Sequence, residues 1–193
     1  MTTKTKVFIA EDEAIVRLDL KEILTEEGYE VVGETGRGDE VLALVRETKP
    51  DLAILDVKMP GLDGISVAKL LSEERLAAVL VLTAFSQRDL IEDAREAGAA
   101  AYLVKPFQRS ELVPAIEVAI GRFRELRALE GEVRSLEERL EARKVIDRAK
   151  GILMDDHSLK ENEAFNFIQK SAMSNRSTMR DVAVKVLSGE IKP

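Results

Sequence analysis

The chain contains no cysteine and no tryptophan, and its one histidine is His157. Without cysteine, a disulfide framework, a thiolate metal site and a cysteine nucleophile are all excluded, and the composition suits a reducing cytoplasm. Proline is scarce, five in 193 residues, which leaves long stretches free to be helical. No apolar run approaches the roughly 20 residues of a membrane span. The short run after MTTKTK meets acidic residues at once, unlike a signal peptide. The expectation is a cytoplasmic chain without membrane contact. His157 stands among Asp155, Asp156 and Ser158, which read as a turn between helices and not as a phosphotransfer site.

Charge is abundant and uneven. Residues 1–122 hold 15 Lys/Arg against 23 Asp/Glu, whereas the other 71 residues hold 14 against 13. Two regions of different electrostatics imply two tasks, and only the second can approach a polyanion without general repulsion.

The first region alternates short β-branched runs with amphipathic stretches. Strands are expected at Lys6–Ala10, 31–32, 52–55, 79–82 and Ala101–Val104. Between them lie helical patterns, such as Ile15, Leu18, Leu20, Ile23 and Leu24, and later Leu90, Ile91, Ala94 and Ala97. Gly28 and Gly98 fall where helix C-caps belong, and Ser86 with Asp89 reads as a capping box. Five strands alternating with five helices predict an α/β fold with a doubly wound, five-stranded parallel sheet. Its strands after the second are apolar on both faces.

The fifth helical pattern does not end with that domain. It runs from about 110 to about 154, with Pro114 placed in its first turn. Such a helix of roughly 40 residues is about 60 Å long. Ile116, Ala119, Phe123 and Leu126 step by 3 and 4, and Leu126, Leu129, Val133, Leu136 and Leu140 form a heptad seam, with a one-residue phase slip between the two stripes. The seam predicts either a homodimer through a coiled coil or a helix folded back on its own domain. Beyond it, Val145, Ile146, Ala149, Ile152 and Leu153 open a small three-helix bundle. Ser158 to Glu161 reads as a capping box for its second helix, and Thr178 to Asp181 as one for its third. The expected divisions are 1–122, a helical linker 123–143, and 144–193.

The carboxyl ends of strands in a doubly wound sheet share one edge, where ligands bind. Glu11 and Asp12 follow the first strand, Asp56 ends the third, Thr83 ends the fourth, and Lys105-Pro106 ends the fifth. Three carboxylates, a hydroxyl and an ammonium therefore converge. Converging carboxylates repel unless a cation lies among them, and oxygen donors without Cys or His suit Mg²⁺. With that charge screened, Asp56 can attack phosphorus, while Thr83 and Lys105 contact phosphoryl oxygens. Taken singly, each residue has an ordinary alternative as loop acid, cap, strand end or turn.

IAEDE, LDVKMPGLDG, VLTAF and AYLVKPF resemble the response-regulator receiver domain, over about residues 5–122. The resemblance implies a flavodoxin-like fold, a sensor histidine kinase as phosphodonor and Asp56 as phosphoacceptor. It makes Glu11 and Asp12 the acidic pocket, with Asp12, Asp56 and the backbone carbonyl of Lys58 as Mg²⁺ ligands. It makes Thr83 and Lys105 the switch pair, places Tyr102 at the switch-aromatic position, and implies a cis peptide at Lys105-Pro106.

The segment 140–187, with AKGILM, EAF and SAMSNRSTMRDVA, resembles the ANTAR output domain, an RNA-binding three-helix unit. Together the two parts resemble actinobacterial phosphorylation-dependent regulators of transcription antitermination, which implies binding to RNA hairpins in nascent transcripts. Residues 144–193 carry 9 Lys/Arg against 7 Asp/Glu, so any RNA contact must concentrate its cations locally. The candidates are Arg148, Lys150, Lys170, Arg176 and Arg180, with Ser177 and Thr178 as hydroxyl donors. Lys150 and the turn at 175–178 lead, and the alternatives are solvated helix faces and helix N-caps. Phe165 and Phe167 are expected in the core, as are Met154, Met173 and Met179. Two other functions compete: a DNA-binding regulator with a helix-turn-helix tail, and an aspartyl phosphohydrolase, for which a second acid/base and a substrate cavity are missing from the sequence.

Overall fold

The computed structural model describes residues 4–84 and 88–193, without the side chains of 88–90. The expected capping box of Ser86 and Asp89 lies outside the described residues. The described chain divides into two compact units, Met1–Arg127 and Ala128–Pro193. Among the described residues no helix is long and apolar enough to cross a membrane.

The first unit alternates β1 (Lys6–Ala10), α1 (Ala14–Glu26), β2 (Glu30–Thr35), α2 (Gly38–Thr48), β3 (Leu52–Asp56), α3 (Gly64–Glu73), β4 (Ala78–Thr83), α4 (Arg88–Glu96) and β5 (Ala101–Val104). All four strand pairs are parallel, in the order β2-β1-β3-β4-β5. Parallel neighbours need crossovers, and the intervening helices cover both faces. Phe8, Val41, Val45, Val67, Leu71 and Ala94 fill the layer under α2, α3 and α4. On the other face, Ile9, Leu20, Leu24, Leu112 and Ile116 pack the sheet against α1 and the helix after β5. Full burial of β3 and β4 matches their unbroken apolar runs. β5 does not follow this rule, because it is the sheet edge: Leu103 is only half-buried and Tyr102 is 47% exposed. The inner stripe expected on α1 is also narrower. Leu20 and Leu24 are buried, but Ile15 and Leu18 are exposed, since they lie on the side of the helix turned from the sheet.

Two helix starts approach neighbouring backbone too closely for a side chain. A Cβ added to Gly64 would lie 2.0 Å from the Asp56 carbonyl oxygen, and one on Gly38 1.7 Å from that of Leu62. Gly64 N–H donates to Val57 O at 2.9 Å, so the first turn of α3 is pressed against the end of β3. Gly28 and Gly98 have φ of 87° and 83° just after α1 and α4, where left-handed backbone ends a helix.

α5 runs from Arg109 to His157. Pro114 is not in its first turn. Gln108 O already accepts from Leu112 N–H, so the proline falls in the second turn and removes one intrahelical bond there. The upstream stripe, Ile116 and Ala119, is fully buried on the sheet and Phe123 partly so. After the phase slip the seam is exposed, from Leu126 at 42% to Leu140 at 56%.

In the second unit, Ala149 and Leu153 of α5 pack with Ala164, Ile168, Val182 and Val186. The latter four belong to α6 (Glu161–Ser174) and α7 (Met179–Leu187). α6 is not capped by Ser158 and Glu161. Ser158 has φ of 57° in the turn after α5, and an N-cap needs extended backbone. The N-cap is Lys160, whose N–H donates to the Glu163 carboxylate at 2.8 Å. Lysine has no acceptor for the reciprocal bond. The α7 box is complete: Asp181 N–H donates to Thr178 Oγ1 at 3.1 Å, and Thr178 N–H to Asp181 Oδ2 at 3.2 Å. Phe167 and Met179 line the core, but Phe165, Met154 and Met173 are exposed, because small Ala164, Ala172 and Ala183 let the helices close without them.

Gly64→Ala is expected to destabilise the protein by about 1–3 kcal/mol through overpacking against backbone. Gly131→Ala, where nothing lies within 4 Å of the added Cβ, is expected to stabilise by about 0.5–1 kcal/mol through helix propensity. Urea unfolding of both variants checks the contrast.

Candidate functional site

The sheet edge brings together the chemical groups that chain order keeps apart. β1 and β3 are adjacent, so Glu11 after β1 and Asp56 at the end of β3 meet side by side. β4 and β5 follow, carrying Thr83 and Lys105 to the same edge. Glu11 is fully buried and Asp56 is 5% exposed, whereas Asp12 is exposed at the rim. Carboxylate oxygens of these three residues lie within 4.8 Å of one another.

The Lys105 ammonium binds this acidic pair. It lies 2.6 Å from Glu11 Oε2 and 2.8 Å from Asp56 Oδ1. The other Asp56 oxygen, Oδ2, accepts from the Lys58 N–H at 3.1 Å. Lys105 N–H donates to Thr83 O at 2.7 Å, tying the β5 end to β4, and the Lys105–Pro106 peptide is cis. Thr83 is buried. Tyr102, on the edge strand, is half open to solvent. A cleft of about 650 Å³ opens beside Asp12 and Lys58, lined also by Met59, Asp63 and Ile65.

Burial pushes the Glu11 carboxyl above its ordinary value; the Lys105 ammonium pulls it back, and the nearby Asp56 charge adds to the rise. Burial works to lower the Lys105 pKa, but hydrogen bonds to Asp56 and Glu11 prevail and raise it. One residue absent from the sequence expectations belongs here. Arg17 of α1 donates to the Glu11 backbone carbonyl, and its guanidinium lies where a Cβ on Gly36 would come within 3.3 Å. Its place one turn into α1, above two loops, is the kind of signal that spacing alone does not reveal.

The second unit distributes its cations unevenly. Lys150 is held by Asp147 at 2.9 Å and Glu161 at 3.0 Å. The Thr178 hydroxyl donates to Asp181 Oδ2 at 2.7 Å as part of the cap. These two leading candidates are therefore engaged within the unit. Lys170, Arg176 and Arg180 are exposed, as is Arg148 on α5, and Ser177 is half-buried. Arg176 has φ of 48° in the α6–α7 turn.

Glu11 sets a pH dependence. Its folded pKa exceeds the ordinary 4.5, so above that value the unfolded chain loses this proton first and stability declines with rising pH. The stability of wild type relative to Glu11→Gln, measured by urea unfolding with EDTA, is expected to fall as pH climbs from about 4.5 through the raised pKa. A flat difference would contradict this.

The profile of the response regulator receiver domain matches residues 7–117, and that of the ANTAR domain residues 134–187. The chain is 59% identical over 182 residues to the transcriptional regulatory protein PdtaR of Mycobacterium tuberculosis, covering 94% of this chain and 89% of that one. It is 38% identical over 112 residues to the chemotaxis protein CheY of Thermotoga maritima, covering 58% of this chain and 93% of CheY. The signal receiver domain of the putative response regulator NarL from M. tuberculosis superposes with a TM-score of 0.59 at 32% identity, over 61% of this chain and 97% of that domain. A receiver edge of buried acids and lysine, followed in the same chain by an ANTAR domain, makes this protein a member of the response-regulator family with an ANTAR output domain.

Proposed function

We propose that the chain is a phosphorylation-controlled RNA-binding antiterminator, in which Asp56 takes a phosphoryl group from a sensor histidine kinase and the ANTAR unit then binds hairpins in nascent transcripts so that a terminator cannot form. The observation that carries it is the grip of Lys105 on both Glu11 and Asp56, in a chain that continues into an ANTAR domain. PdtaR, similar over most of its length, is by its name a transcriptional regulatory protein.

Asp56 presents a carboxylate already oriented by the Lys58 N–H and Lys105. An Asp56 oxygen attacks phosphorus as the phosphorus–nitrogen bond of the donor histidine breaks, and the imidazole keeps the electron pair. The chain thus catalyses only its own phosphotransfer. The all-oxygen donor set fits Mg²⁺, which Asp12, Asp56 and the Lys58 carbonyl would hold with Glu11 behind them, and which supplies neutralisation of charge on the incoming phosphoryl group. Lys105 then pairs with a phosphoryl oxygen and Thr83 donates to another. Movement of Thr83 towards the phosphate draws Tyr102 inward from its half-exposed position and biases a two-state surface. The exposed seam of Leu129, Val133, Leu136 and Leu140 supports a second copy of the chain as a further partner, because its heptad spacing is that of helix pairing.

Wild-type protein with Mg²⁺ and acetyl phosphate is expected to gain one phosphoryl group, visible by mass spectrometry. The Asp56→Asn variant, or wild type in EDTA, is expected to gain none. A labelled pool of RNA hairpins with one stem and a randomised loop should shift in a gel more strongly with the phosphorylated protein. A shift unaffected by the donor would refute the coupling.

A further inference from the structure

The second unit has two clefts of opposite character. One is lined by Arg134 and Arg180 against three carboxylates, Glu137, Glu138 and Glu141. The other, about 400 Å³, lies where α5, α6 and α7 meet, and its charged lining is Arg139, Arg143 and Lys150 against Asp147 alone. Arg139, Arg143, Ile146 and Lys150 are spaced by 3 and 4, so they share one face of α5. Asp147 is held by Lys150 at 2.9 Å and reached by Arg143 only at 3.9 Å. Both arginines are exposed, the Arg143 side chain at 83%.

Phe165 forms the apolar wall of this second groove, beside Met179 and Ile146. Phe165 and Phe167 are the only aromatic residues after Phe123. Phe167 packs on the core, whereas Phe165 is 41% exposed although the bundle closes without it. An exposed ring with solvent-exposed arginines at its rim is the arrangement that holds an unpaired base: the ring stacks on the base and the guanidinium groups meet the flanking phosphates.

Resting on the RNA-binding reading above, we infer that this groove is a nucleobase site, in which Phe165 stacks on one unpaired base of a hairpin loop while Arg139 and Arg143 bind the adjoining phosphates. The base needs no particular hydrogen-bonding edge for the stack, so Phe165 supplies affinity for an unstacked loop over a duplex. The acidic cleft repels the same backbone, which orients the RNA on the α5 face that carries the arginines.

The test uses the full chain treated with acetyl phosphate and Mg²⁺, and the pool of fixed-stem RNA hairpins with a randomised loop, scored by filter retention. Phe165→Leu is expected to reduce retention about tenfold, as loss of one base–aromatic stack does, and Phe165→Tyr to retain the wild-type level. Arg139→Gln is expected to weaken binding and to make the log–log salt slope shallower by about 0.7. A blunt RNA duplex of the same stem is expected to be retained poorly by every variant. Thermal melting followed by circular dichroism controls for folding; if Phe165→Leu melts early, the Phe165→Tyr and Arg139→Gln pair decides. Wild-type retention by Phe165→Leu, or duplex retained as well as the hairpins, overturns the groove while leaving RNA binding standing. Wild-type protein that retains no hairpin overturns the RNA reading itself, and the groove with it.

Discussion

Lys105 stands between two carboxylates that could not otherwise share a buried edge. Glu11 is sealed from solvent and Asp56 nearly so, and each lies within 2.8 Å of the same ammonium. Removing one member of such a cluster leaves an uncompensated buried charge, which is why the cluster behaves as a unit. The constraint reaches the sheet order. Only with β1 beside β3, and with β4 and β5 following, do the loops after three separate strands meet at one point. The apolar runs of β3 and β4, the Gly64 contact under Asp56 and the β4–β5 tie at Thr83 all serve to hold that geometry.

In the proposed function the same lysine would couple chemistry to shape. A phosphoryl group arriving at Asp56 would compete for an ammonium that already bonds two acids, so loading the pocket would shift its charge contacts. β5 is the strand best suited to respond, since it is the half-exposed sheet edge and carries both Lys105 and Tyr102. α5 follows directly after β5 and buries Ile116 and Ala119 on the sheet, and the same helix supplies Ala149 and Leu153 to the output core. The phase slip at Leu126 marks where its apolar stripe stops serving the sheet.

Much of the receiver was legible because its signals are local. Short apolar runs alternating with amphipathic stretches mark all five strands, β2 only in its 31–32 core, and strand-end positions gather Glu11, Asp12, Asp56, Thr83 and Lys105 on one edge. The output unit was less legible. Its candidate cations read alike along the chain, and only folding separates Lys150, held by Asp147 and Glu161, from the exposed Arg148, Lys170, Arg176 and Arg180; Arg139 and Arg143 are not among those candidates at all. Apolar side chains misled for a related reason. Hydrophobicity states that Phe165, Met173, Ile15 and Leu18 gain from burial, but small alanines at the α6 and α7 contacts close the output core without Phe165 and Met173, and Ile15 and Leu18 lie on the side of α1 turned from the sheet.

The amino-acid sequence by itself determined the doubly wound fold, the strand-end acids and lysine, the long helix and the box that starts α7, because each depends on residues near in the chain. Only the tertiary structure decided that Lys105 contacts Glu11 as well as Asp56, that Arg17 holds the Glu11 loop, that Lys160 and not Ser158 caps α6, and that Phe165 faces a positive groove. Those outcomes depend on distances between residues remote in sequence, and burial and ion pairing are set by which surfaces close first.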